Sequence, residues 1–292
     1  MGWVEAGSFQ KRGARSKEEK EEGRSKKPEG ESRRCTMSTK VVVIGGTGLI
    51  GSKVVEKLRA RGHEAVAAAP NTGVNTLTGE GLADVLENAS VVVDVSNSPS
   101  FEEKAVMEFF RTSTENLLAH EARAGVRHHV ALSVVGTDRL QEGAYIRAKG
   151  VQERLIKESG IPYSIVHATQ FFEFAKRIAD DATEGNQVHL PPVLIQPIAA
   201  EDVATAVAKT AVGMPLNSTE EVAGPERFRF DEFIRQVLQT DNDPREVVVD
   251  SNARYFGAKV SELTLVASDE ARLGEIRFRD WLSPVTAGPP DH

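Results

Sequence analysis

Residues 40–51 read KVVVIGGTGLIG, a run of four β-branched residues that breaks into glycines at positions 45, 46, 48 and 51. A helical pattern, LIGSKVVEKLRARG, follows at once. Consecutive valines and an isoleucine without polar alternation belong to a strand covered on both faces, as in a parallel sheet. Glycines between such a strand and a helix cost backbone entropy, and they serve where the chain turns tightly and admits something close to its backbone. Strand, glycine turn and helix in this order place a dinucleotide pyrophosphate at a helix N-terminus. Gly45 or Gly46 takes the turn, Gly48 lets the pyrophosphate approach and Gly51 lets the helix pack closely. Thr47, Leu49 and Ile50 complete the predicted cofactor-binding loop.

The chain beyond the turn continues in the same alternation. Short apolar runs (HEAVAAAP, SVVVDVSN, HHVALSVVG, PYSIVHA) are separated by helical patterns (EGLADVLENA, FEEKAVMEFFRTSTENLLAHEARAG, YIRAKGVQERLIKESG). Such an alternation predicts βαβ units and an α/β class: a doubly wound parallel sheet of the Rossmann type. After about Thr169 the pattern loosens, with PPVLIQP, a helix at AEDVATAVAKTAV and a mixed stretch FRFDEFIRQVL. The predicted division is a dinucleotide-binding domain over 37–168 and a smaller substrate lobe over 169–292. Part of that lobe, about 195–212, is expected to pack back on the first domain.

Charge separates the first 36 residues from the rest. They hold 10 of the 36 basic residues and 7 of the 43 acidic ones, with little to bury, and read as a disordered tail. The remaining 26 basic and 36 acidic residues give the folded part a net charge of −10, which disfavours nucleic acid as a partner. Met37 opens MSTKVVVIGG just before the first strand, so an alternative translation start falls there. No apolar run reaches the roughly 18 to 20 residues of a membrane-spanning helix, and no secretory pattern follows the basic start, so the expectation is a cytoplasmic protein without a membrane partner. The single cysteine, Cys35, leaves no internal disulfide and no thiolate metal cluster. Nothing in the sequence specifies an oligomer.

The end of the second strand run bears on which dinucleotide is bound. A carboxylate about twenty residues beyond the glycines usually holds the ribose hydroxyls of NAD, and here the run ends AAAPNTG, with no acid. Asn71 and Thr72 are placed to hydrogen-bond a 2′-phosphate, with Ser52 and Lys53 near the turn, so NADP(H) is favoured over NAD(H). Ser96 and Asn97, in DVSNSPS, either lie beside the cofactor or form an ordinary polar turn.

A second constellation lies in ALSVVGTDRLQEGAYIRAKG. Ser133 ends a strand, Tyr145 follows twelve positions on, and Lys149 stands four residues beyond the tyrosine, on the same face of a helix. A phenol has an ordinary pKa of about 10, and a cation about 4 Å away favours phenolate by several kcal/mol at an effective dielectric of about 20. Beside a hydride donor, Tyr145 then protonates the oxygen of a carbonyl under reduction, Ser133 hydrogen-bonds the developing alkoxide, and Lys149 reaches the nicotinamide ribose.

With these residues the chain resembles the short-chain dehydrogenase/reductases, in the atypical NmrA-like or isoflavone-reductase-like branch. GGTGLIG, Ser133, YIRAK, ESGIPYSIVHATQFFEF, QPIAAEDVA and VAGPE carry the resemblance, from about residue 38 to the C-terminus. It implies a Rossmann fold, NAD(P) binding and reductase activity on a small-molecule substrate such as a carbonyl or quinone-like compound. One position departs from the pattern: Phe110, six residues ahead of Asn116, stands where better-known relatives carry a catalytic asparagine. Some NmrA-like relatives bind dinucleotide and regulate partners without turnover, which is the alternative function.

Four further residues are substrate candidates: His167 and the following Gln170, Phe171 and Phe174, which either line an apolar pocket or pack in the core. The adjacent His128 and His129 point to opposite faces of a strand and have no third ligand at metal spacing, so no metal site is expected. Asp202 is expected to cap or orient the helix it begins.

Overall fold

The computed structural model describes residues 38–283 except Asp138 and Gln141. The expectations for residues 1–36 and for Met37 lie outside the described residues.

The alternation of apolar runs and helical patterns becomes β1 (Lys40–Ile44), α1 (Leu49–Ala60), β2 (Glu64–Ala68), α2 (Leu82–Leu86), β3 (Val91–Asp94), α3 (Glu103–Ala124), β4 (His128–Val134), α4 (Ala144–Glu158) and β5 (Tyr163–Ala168). The looser second half forms α5 (Ala175–Asp181), β6 (Thr183–Glu184), β7 (Gln187–Leu190), β8 (Leu194–Ile195) and α6 (Ala200–Ala211). It continues through β9 (Ser218–Ala223), β10 (Phe228–Arg229), α7 (Phe230–Thr240), β11 (Glu246–Val249), β12 (Arg272–Leu273) and α8 (Phe278–Leu282).

Seven strands form one sheet in the order β12-β9-β5-β4-β3-β1-β2, with every pairing parallel. The strand order reverses between β1 and β3, and in such a sheet the carboxyl ends at the reversal frame the binding crevice. The two-residue period of β1 explains both layers. Val41 and Val43 pack with Val54, Leu58, Val203 and Val207 of α1 and α6. Val42 and Ile44 face the other way, onto Leu82, Leu86 and Leu117 of α2 and α3. Leu118, Ala131, Ile156 and Ile165 continue that second layer beneath α4.

A separate core forms in the second half. In α7, Phe230, Phe233, Ile234, Val237 and Leu238 recur at helical spacing and are all buried. They pack with Phe172, Ile178, Val188, Leu190, Ile195 and Phe278. The FFEF stretch forms a 3-10 turn over Phe172–Phe174 leading into α5.

Asp202 corrects an expectation. The N-cap of α6 is Ala199, and the carboxylate that accepts the Ala200 N–H, at 3.1 Å, belongs to Glu173. Asp202 accepts the backbone N–H groups of Glu275 and Ile276 at 3.0 and 2.9 Å. Asp202 is the third residue of the helix and its side chain faces the segment leaving β12, so it tethers that segment rather than the helix start.

Candidate active site

The glycine turn has a distinct use for each glycine. Gly45 adopts φ +76°, where a side chain is strained, and a Cβ there would lie 2.9 Å from the backbone of Ser96 in the next crossover. Gly46 lies against β2, where a Cβ would meet the Ala67 Cα at 2.7 Å. A Cβ on Gly51 would run into the Gly45 carbonyl, so that glycine lets α1 close on the turn. Gly48 differs, because its only near neighbour would be the Gly45 carbonyl oxygen, at 3.3 Å, and Thr47, Gly48 and Leu49 are exposed. The first turn of α1 has no side-chain cap. An open glycine before uncapped helical N–H groups, with Ile50 buried behind them, fits a pyrophosphate.

Thr47 Oγ1 donates to Asn71 Oδ1 at 3.1 Å, which sets Asn71 beside the turn. The Thr72 hydroxyl is spent on its own turn, donating to the Ala69 carbonyl and accepting the Ala69 N–H, both at 2.9 Å. Of the two residues predicted to read a 2′-phosphate, Asn71 therefore presents its side chain toward the glycines. Ser96 donates to Asp94 Oδ1 through its hydroxyl, at 2.6 Å, and its N–H, at 3.0 Å. Asn97 is exposed and accepts the Ser98 N–H.

From Asp94 a buried polar chain runs under α4. Its Oδ2 accepts from Gln152 Nε2 at 2.9 Å, the Gln152 carbonyl oxygen accepts from Lys149, and Lys149 Nζ also donates to the Leu132 carbonyl at 2.8 Å. Burial lowers the Lys149 ammonium to about 8, against the pull of Asp94 and Glu153. The Phe110 ring, fully buried, lies 4.5 Å beneath that ammonium and meets Tyr145 edge-on at 5.8 Å. Phe101 stacks on Tyr145 at 5.3 Å and carries Arg177 on its far face at 4.2 Å. Enclosed by these rings, the Tyr145 phenol is pushed up to about 12 by burial. That direction is opposite to the one expected from the Tyr–Lys spacing, because the ammonium is turned onto Leu132 and Gln152.

Ser133 and His167 stand opposite each other in the β4–β5 register. Ser133 Oγ donates to Glu153 Oε1 at 2.7 Å, and His167 Nε2 lies 2.8 Å from the same oxygen. Burial alone would raise the Glu153 carboxyl, but His167, Ser133 and Lys157 overcome it and hold the group at about 2. His167 lies within β5, with its ring engaged by α4.

Gln170 is buried, Phe171 packs on the first core, and Phe174 is 40% exposed and stacked on Phe171 at 5.4 Å. His128 and His129 part as their strand dictates: His128 turns to Ser164 at 2.9 Å, and His129 turns to Glu121 at 2.8 Å. The Glu121–His129 pair is sealed from solvent, with the carboxyl raised by burial and the imidazole raised by Glu121 against its own burial.

Sequence reasoning passed over Asp94, Glu121, Gln152 and Glu153. Only Asp94 carried a signal, as an acid closing an otherwise apolar strand. The helix residues look like a solvated charged face until the sheet covers them.

The family model described as NAD(P)H-binding matches residues 45–212. Among curated proteins, the chain is similar to photosystem II assembly factor Ycf39 of Synechocystis sp., with 22% identity over 148 residues, 46% of this chain and 45% of that protein. The chain thus spans less than half the length of the curated relatives it matches. Among solved structures it is similar to MoeE5 in complex with UDP-glucose and NAD, with TM-score 0.63, 19% identity, and coverage of 83% of this chain and 96% of that one. It is also similar to dTDP-4-dehydrorhamnose reductase from Bacillus anthracis in complex with NADP, with TM-score 0.58, 15% identity, and coverage of 84% and 92%. Among the described residues, no helix is long and apolar enough to cross a membrane.

Proposed function

Because the chain belongs to the NAD(P)H-binding family, we propose that it reduces a small carbonyl or quinone-like compound with a nicotinamide dinucleotide, NADPH in preference to NADH, or runs the reverse oxidation. The observation that carries this reading is the continuity of the site. A Cβ on Gly45 would run into the Ser96 backbone, and Ser96 leads through Asp94 and Gln152 to Lys149, one helical turn from Tyr145. A hydrogen-bonded chain thus leads from beside the glycine turn to Lys149, which supports reading the two ends as one site. Gly45, Gly46, Gly48, Gly51 and the first turn of α1 hold the pyrophosphate, and Asn71 meets the adenosine ribose. A neutral amide at that position, with no acid at the end of β2, supports NADP(H). The bound reduced nicotinamide supplies a hydride to the carbonyl carbon. Tyr145 holds the proton for the carbonyl oxygen, with its ring packed against Phe101 and Phe110.

The second reading is a dinucleotide-binding regulator without turnover. It is supported by Phe110, which fills an asparagine position with a ring, by the high proton affinity of Tyr145, and by the name of the Ycf39 relative, an assembly factor. Titration of the purified protein with NADPH and NADH, then a panel of aldehydes, ketones and quinones followed at the nicotinamide absorbance, separates the two. Oxidation of NADPH by a panel member supports the reductase. Tight binding with no oxidation by any of them refutes it in favour of the regulator.

A further inference from the structure

The aromatic stack over Tyr145 ends in an arginine. Phe101, in the segment between β3 and α3, lies at 28° to the Tyr145 ring, and Arg177 of α5 sets its guanidinium 4.2 Å from the Phe101 ring centre. These contacts carry a cation of the second half to the proposed proton donor. Stacking engages only the face of a guanidinium, so its edge of N–H donors stays free. Among the described residues that edge meets no hydrogen-bond acceptor, and Asp181, the acid one turn further along α5, makes no ion pair with it. Neighbouring cations are engaged. Lys176 pairs with Asp180 and Asp243, each at 3.6 Å, and Arg245 holds the same two acids at 2.9 and 2.7 Å. Arg177 is exposed, and three residues before it the N-cap of α5, Phe174, is 40% exposed and stacked on Phe171 at 5.4 Å. An apolar ring and an open guanidinium edge thus stand together at the start of α5.

We propose that Arg177 is a specificity-determining residue of the site, and that the substrate is an aromatic carbonyl compound bearing a carboxylate. This deepens the reductase reading and rests on it for the carbonyl. The carboxylate takes the fork of N–H donors in the plane of the guanidinium, the apolar body lies against Phe174 and the edge of the Phe101–Tyr145 stack, and the carbonyl oxygen reaches Tyr145. One unpaired guanidinium matches a singly charged, planar group. A phosphate monoester, with about two charges at pH 7, calls for a second cation, and Lys176 beside Arg177 is engaged by two acids.

The test compares 4-acetylbenzoate with 4-acetylbenzamide, which are close in size and differ in that charge. Calorimetric titration of each into the protein saturated with NADP+ reads the site without turnover. Wild type should bind the benzoate about tenfold or more tighter than the benzamide. Arg177→Met, which leaves an apolar stem on Phe101, and Arg177→Gln should each bring the two affinities together. A variant that has not folded binds neither compound, whereas loss of the guanidinium alone removes only the preference, and the second variant decides where the first fails to fold. Equal affinities in wild type, binding of neither compound, or a preference that survives in either folded variant overturns the proposal. Oxidation of NADPH by 4-acetylbenzoate is followed separately at the nicotinamide absorbance. If neither this compound nor any panel member oxidises NADPH while the benzoate preference depends on Arg177, the reductase reading fails and the carboxylate site stands.

Discussion

Replacing Glu153 with glutamine tests the buried cluster beneath α4 quantitatively. The carboxylate accepts from Ser133 at 2.7 Å and pairs with His167 at 2.8 Å, while exposed Lys157 lies 3.3 Å from its other oxygen. These partners hold it at about 2 against an ordinary 4.5. At about 1.4 kcal/mol per pH unit, that difference is worth about 3 kcal/mol of stability. Because the folded state depresses the group, the contribution is fully present above pH 4.5 and is lost as pH falls toward 2. Glu153→Gln cannot ionise, so it should be less stable than wild type by about 3 kcal/mol at pH 7 and by only about 1.4 kcal/mol at pH 3. Urea unfolding followed by tryptophan fluorescence at both pH values gives the comparison. The same stability difference at pH 7 and pH 3 would show that the carboxylate's charge is not what holds Ser133 and His167.

Three other perturbations separate local roles. Gly51→Ala forces a methyl into the Gly45 carbonyl and should cost about 1–3 kcal/mol; Gly48→Ala meets only an atom at 3.3 Å, so its urea midpoint should hold while NADPH affinity, read by fluorescence, falls about tenfold or more. Lys149 has a folded value of about 8 against 10.5 unfolded, so between those values the unfolded chain holds the extra proton and stability should rise with pH. Melting curves at pH 8 and pH 10 should show that rise diminished in Lys149→Met, and an equal rise in both proteins would contradict the burial argument. Asp202→Ala removes the acceptor for two backbone N–H groups and should cost about 1–3 kcal/mol, with limited proteolysis near residue 275 appearing before any cut in the central sheet.

The sequence by itself determined the parallel sheet and the glycine turn, because both rest on local signals. Apolar runs bounded by helical periods can only be satisfied by covered strands, and a tight turn between strand and helix is written in Gly45 and Gly46, of which the structure gives Gly45 the positive φ. The order of Ser133, Tyr145 and Lys149 along the chain was equally legible. Where their polar groups point was not. Tertiary packing turned Lys149 onto Leu132 and Gln152, gave Ser133 to Glu153, and enclosed Tyr145 in aromatic rings. Those outcomes depend on which groups lie across the layer. Asp94 meets Gln152 over 58 positions of sequence, so no window around either of them contains its partner. A side chain's residue type and spacing set the chemistry it is capable of, but burial and its neighbours across the fold decide its protonation and its partner.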